Sequence, residues 1–148
     1  MYLKRFTVIL LGIIMVSSLM AKNIYKKYHP KNLNEAIVLL DRVYSNKRVY
    51  SNKYQKEIYD MSESEFMTKS QISTGLWIRY RWGLSQGTKL SNYFNEMGIY
   101  YPKDMSDIIL HCYYRHLHYQ DYDLNKLIKY YQDRRKKAPK LAETAVIG

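Results

Sequence analysis

The sequence predicts an all-α fold, a small single-domain bundle of about four to five helices behind an N-terminal signal peptide or anchor. Three observations carry that expectation. Apolar residues recur at helical spacing in the long segments, Asn32 and Ser62 stand where helix N-caps belong, and Gly83, Gly87, Gly98 and Pro102 punctuate the middle of the chain. A length of 148 residues allows one domain with a core that needs no disulfide or metal staple.

Met1 to Ala21 has the pattern of an export signal. Lys4 and Arg5 precede an apolar run from Thr7 to Met20, and cleavage could follow Ser18 or Ala21. The run is short for a spanning helix, which needs about 20 apolar residues. Leu19 and Met20 are bulky for a cleavage site, and Lys22, Lys26 and Lys27 follow, so an uncleaved membrane anchor is the alternative. The expected location is periplasmic or secreted, or else membrane-anchored. No cysteine follows the run, which excludes lipid attachment there.

Residues 22–31 read as a linker and 32–137 as the helical domain. Asn32, with Glu35 three residues on, opens a helix whose stripe is Leu33, Ala36, Ile37, Leu40, Val43 and Tyr44. RVYSNK at 42–47 is then repeated at 48–53. Six residues do not preserve a 3.6-residue phase, so the repeat reads as a tolerated insertion, a helix extension or a loop. Ser62 and Glu65 make a capping box for a helix over 63–81, with Phe66, Met67, Ser70, Ser73, Thr74, Trp77 and Ile78 inward. That phase puts Arg81 on the inner side and points Arg79 away. Gly83 and Gly87 bracket a turn that requires positive φ. Thr88 or Ser91 caps a short helix bearing Leu90, Tyr93, Phe94 and Met97, and Gly98 fits its C′ position.

Pro102 starts a helix over 103–118 whose buried side is Met105, Ile108, Ile109, Cys112, Tyr113 and Leu117. Asp121 and Asp123 mark a turn before a last helix with Leu124, Leu127, Ile128 and Tyr131 on one face. The basic run Arg134 to Lys137 suits that helix's C-terminal dipole, and 138–148 reads as a flexible tail.

Lys and Arg number 24 against 13 Asp and Glu, a net charge of +11 that favours anionic partners. Seventeen tyrosines require either many hydroxyl partners in the core or a wet contact surface. The single Cys112 lies on an apolar arc and reads as an inert core thiol.

The candidate catalytic residues are Asp107, His111, Arg115 and His118, one polar stripe at about 100° per residue. Asp107 could orient His111 as a general base, or the two could begin a metal site; the bland alternative is a solvated face laced with i,i+4 pairs. The candidate binding residues are Trp77, Arg81, Trp82 and Tyr93, an aromatic and basic group suited to sugars, bases or a membrane interface. A core edge before a turn would use the same residues. No nucleophile elbow, H-E-x-x-H or paired cysteine occurs, and no cofactor or metal is expected.

Ile78-Arg79, Trp82-Gly83-Leu84, Gly87, Leu90, Tyr93-Phe94, Gly98-Ile99 and Pro102 form a distinctive string. Asp104-Met105-Ser106, Ile108-Ile109-Leu110, Tyr114-Arg115 and Leu117 continue it. With these residues, Glu63 to Tyr131 resembles a bacterial domain-of-unknown-function family of small helical proteins. The resemblance implies a helical unit and brings no activity, with Lys103 where an acidic residue is expected. The expected role is a non-catalytic binding or structural module of the cell envelope, facing a protein or an anionic envelope component. The alternatives are a hydrolytic enzyme using Asp107, His111 and Arg115, and a polyanion binder. Export would place nucleic acid out of reach, and residues 1–21 offer a membrane contact.

Overall fold

The computed structural model describes residues 29–45 and 52–137. The leader, most of the linker, the centre of the RVYSNK repeat and the tail lie outside the described residues. Seven α-helices and no strand occur among those described: α1 Leu33–Tyr44, α2 Asn52–Asp60, α3 Glu63–Ser70, α4 Thr74–Arg81, α5 Lys89–Glu96, α6 Pro102–Leu117 and α7 Leu124–Lys137. The all-α expectation holds, and two features raise the count of helices. Residues 52–60 form a helix of their own, and the 63–81 run divides at 71–73.

Local chemistry explains the boundaries. The Asn32 side chain accepts the Glu35 N–H at 3.0 Å, while the Glu35 carboxylate takes the Lys31 N–H at 2.9 Å. Ser62 and Glu65 complete a reciprocal capping box at the start of α3. Thr88, rather than Ser91, caps α5. Gly98 has φ of 76°, and Ile99 N–H donates to the Phe94 carbonyl at 3.0 Å, closing α5 in a Schellman turn. A Cβ on Gly98 would lie 2.7 Å from Gln132 Nε2, so a substitution there would be strained by φ and would displace the end of that side chain.

The division between α3 and α4 has a chemical cause. The Ser73 hydroxyl donates to the Lys69 carbonyl at 2.9 Å, competing with the backbone ladder, and Gly75 follows as a poor helix former. The break re-phases α4 relative to the continuous helix expected from the sequence. Ser73 and Trp77 turn outward, and Arg79 turns inward to donate to Ser106 Oγ at 2.9 Å. Gly75 lets α4 approach α6, where Leu110 Cδ1 would sit 3.3 Å from an added Cβ.

Helix α6 is the hub. It packs against α1, α3, α4, α5 and α7, and those five are the principal helix pairs of the structure. Every residue from Asp104 to Leu110 is buried. The core joins Leu33, Ile37 and Leu40 of α1, Phe66 of α3, Ile78 of α4, and Leu90 and Phe94 of α5 to Ile108, Ile109 and Tyr113 of α6. Tyrosine hydroxyls inside this core find partners: Tyr44 meets Thr74 Oγ1 at 2.6 Å, and Tyr114 donates to the Met61 carbonyl at 2.8 Å. Among the described residues no helix is long and apolar enough to cross a membrane.

Candidate functional site

Because α6 is covered on all sides near its start, the polar stripe is not a solvated face. Asp107 is fully buried; Lys103 Nζ donates to its Oδ2 at 2.6 Å, and Oδ1 has no hydrogen-bond partner among the described residues. The carboxylate that meets His111 is Glu63, the first residue of α3, with Oε1 2.6 Å from Nδ1. The same oxygen accepts from Arg115 Nε at 3.1 Å, and Arg115 Nη1 donates to the Tyr122 carbonyl at 2.7 Å. His118 places Nδ1 2.9 Å from the Tyr114 carbonyl and Nε2 2.9 Å from the Tyr59 carbonyl. The stripe thus ties α6 to α2, α3 and the loop before α7. Among the described residues no group of three or more His, Cys, Asp or Glu is placed to hold a metal ion.

The aromatic and basic candidates separate. Trp82 is inside the core, with Trp77 edge-on to it at 5.7 Å and 66°. Tyr93 is half-buried against Phe94 at 5.4 Å, and burial, then the nearby Cys112, push its phenol pKa up. Trp77 lies outside, and Arg81 ends α4 half-buried. Ile72, Leu76 and Tyr80 are 81%, 57% and 77% exposed, and with Trp77 they make an apolar ridge along the outer side of α4. Sequence reasoning missed this ridge because it phased the helix through the break at 71–73.

A second group was missed altogether. His116 places Nε2 2.8 Å from Asp41 Oδ2 of α1, and the Tyr122 hydroxyl lies 3.1 Å from Nδ1. Burial first, then Cys112 and Asp41, raise the Tyr122 pKa, so the phenol keeps its proton. The loop that carries Tyr122 is held by two left-handed residues, Tyr119 at φ 54° and Asp123 at φ 48°. Tyr119 occupies the C′ position after α6, as Gln120 N–H donates to the Arg115 carbonyl at 2.9 Å. Glycine is usual there, and a side chain in that conformation costs roughly 1–2 kcal/mol. No sequence signal distinguishes this tyrosine from its neighbours.

Cys112 is buried as expected of a core thiol. Burial, opposed by Arg115 and helped by Glu63, pushes its pKa from 9.0 up to about 12. Two outcomes follow. Iodoacetamide at pH 8 should leave the folded protein unmodified by intact mass, and label it only in denaturant. Between pH 9 and 12 the unfolded state has lost the thiol proton that the folded state keeps, so this thiol's contribution is full below about pH 9 and falls as pH rises.

These contacts define a class before they define a family: an all-helical domain built around one buried helix, with charged side chains spent on joining helices. The chain belongs to the family described as Domain of unknown function (DUF6794), whose model matches residues 29–117, from His29 to the last residue of α6. No curated protein and no solved structure matches the chain.

Proposed function

We propose that this protein is a non-catalytic binding module of the cell envelope that docks on an anionic membrane surface through the outer face of α4. The observation that carries the reading is the ridge of Ile72, Leu76 and Tyr80, three large apolar side chains in open solvent, with Trp77 37% exposed beside them. Contiguous apolar surface of this kind marks interaction sites. Its charge setting favours acidic lipid over a neutral partner. No acidic residue occurs from Phe66 to Asn95, while Arg81 and Lys89 do, and Lys69, paired with Glu57 at 3.3 Å, stands on the preceding helix. Tryptophan and tyrosine are also the side chains that settle at a membrane–water boundary. An export leader would deliver the domain to such a surface.

Binding is preferred to hydrolysis because the groups that catalysis would need are bonded within the chain. His111 and Arg115 share Glu63, and Asp107 holds Lys103. Of the ridge, Trp77 leans one edge on Trp82, while Ile72, Leu76 and Tyr80 face outward.

The test uses the full chain with phosphatidylglycerol vesicles and with phosphatidylcholine vesicles, each containing bromine-labelled lipid. Trp77 should be quenched by the anionic vesicles, and buried Trp82 should not. Ile72→Ser/Leu76→Ser/Tyr80→Ser should abolish quenching with little change in thermal stability, since exposed substitutions usually fall within about 0.5 kcal/mol each. Co-sedimentation without quenching would mean that residues 1–21 alone attach the chain, and the ridge reading would fail. A large loss of stability in the triple variant would also sink it, by showing the ridge to be covered.

A further inference from the structure

At the C-terminal end of α6, two open clefts of about 240 and 450 Å³ share Asp41 and Leu117 as walls. Either volume is near the range of roughly 300–1,000 Å³ typical of small-molecule sites. The larger cleft is bordered by Tyr119, which is 93% exposed, with Gln120, His116 and Tyr122 beside it. The smaller includes Tyr59, which lays one ring face on His118 at 4.8 Å and 14°.

Charge narrows the ligand. Among the described residues no lysine or arginine lines either cleft, although the chain carries +11 overall. Against these walls an anion would meet the Asp41 carboxylate with no lysine or arginine among the described walls to offset it, and a cation would have to approach against the field of the whole protein. What remains is a neutral molecule. The polar walls are a carboxylate, an imidazole, a phenol and a primary amide, which together offer both donors and acceptors. Hydroxyl groups, which donate and accept, match such a set. The tyrosine faces add an apolar platform with a wet edge.

The position of Tyr119 points the same way. Its backbone is left-handed, where glycine is the unstrained choice, and its ring buries almost nothing in the chain itself. Folding alone gives no reason for a tyrosine there. His116 is meanwhile fixed from both sides, by Asp41 and by Tyr122, so the cleft wall is preorganised.

We propose that this double cleft binds a neutral, polyhydroxylated ring, that is, a sugar unit of an uncharged glycan. Tyr119 stacks on the apolar face of the ring, while Asp41, Gln120 and the Tyr122 hydroxyl exchange hydrogen bonds with its hydroxyls. The site is separate from the α4 ridge and does not depend on it.

The experiment is binding of the full-length protein to an array of neutral oligosaccharides, including chitotetraose and maltotetraose, with sulfated and uronic-acid glycans alongside. At least one neutral glycan should be retained, and retention should survive 0.5 M NaCl (roughly three times physiological ionic strength), because no charge pairing is involved. Tyr119→Gly should weaken that glycan about tenfold or more while the thermal midpoint holds or rises, since strain is relieved as the platform is lost. Gln120→Ala, another exposed position, should weaken it with no change in midpoint. Retention of charged glycans alone, lost in salt, would overturn the proposal in favour of unspecific attraction to a basic surface. Neutral glycan binding untouched by both variants would place it elsewhere on the molecule, and no neutral binding at all would dismiss it.

Discussion

Replacing Trp82 by alanine is expected to lower the stability of the fold by about 3–5 kcal/mol, the usual cost of emptying a buried aromatic site. Trp82 is among the largest fully buried side chains, at the end of α4 where the chain turns through Gly83. The surrounding helices cannot close over the void without moving α4 against α6. Its indole nitrogen complicates the matter usefully. Nε1 is buried and has no hydrogen-bond partner among the described residues. An unpaired buried donor carries a desolvation penalty of about 1–3 kcal/mol. Trp82→Phe removes that penalty while opening a smaller void, so the two effects should largely offset each other. Urea unfolding followed by far-ultraviolet circular dichroism separates the variants. A near-neutral Trp82→Ala would show that the ring does not fill the core.

The second large effect is expected at Arg135, where alanine should cost about 3 kcal/mol, the lower end of the range for breaking a buried ion pair. Asp104 is buried in the first turn of α6, and Arg135 of α7 donates to both of its oxygens, at 2.6 and 2.7 Å. The guanidinium also lies over the Tyr101 ring, 3.9 Å from its centroid. Truncating the arginine leaves a carboxylate inside with its main countercharge gone, and the cation–π contact is lost as well. The lower end applies because Arg135 itself is about one-third exposed. Asp104→Asn/Arg135→Ala should be less destabilised than the sum of the two single variants. Strict additivity in that double-mutant cycle would mean that the pair is not coupled.

The parts of the fold that were legible in the sequence are those whose cause is local. Asn32, Ser62 with Glu65, Thr88, Gly98 and Pro102 act within four residues of themselves, and each marks the helix end expected of it. The family resemblance was legible for a related reason, as it rests on a continuous string from Ile78 to Leu117. Pairings across the fold were not. Glu63 read only as a helix start, yet it holds His111 and Arg115, 48 and 52 residues away. His116 and Asp41 are 75 residues apart. Periodicity assigned α6 a wet stripe because a helical wheel has one axis of amphipathicity and says nothing of how many neighbours surround it. With five helices packed around it, polar residues near its start had to be buried and paired instead. The error at Arg79 had a simpler source. The interruption at Ser73 turns Trp77 outward and Arg79 inward while Ile78 stays buried, and hydroxyls at 70, 73 and 74 before Gly75 were the available warning.

Helix α7 bears on where this folding unit can be cut. The segment matched by the family ends at residue 117, one helix short of the described structure. Yet α7 supplies Arg135 to Asp104, Gln132 to the Met97 carbonyl that ends α5, and Leu127 and Tyr131 to the core. A fragment trimmed to the match would uncover apolar surface on α6 and strand a carboxylate beside it. For expression or domain grafting, the autonomous piece therefore runs through Lys137. A shorter fragment of this chain would need an equivalent donor from elsewhere to meet Asp104.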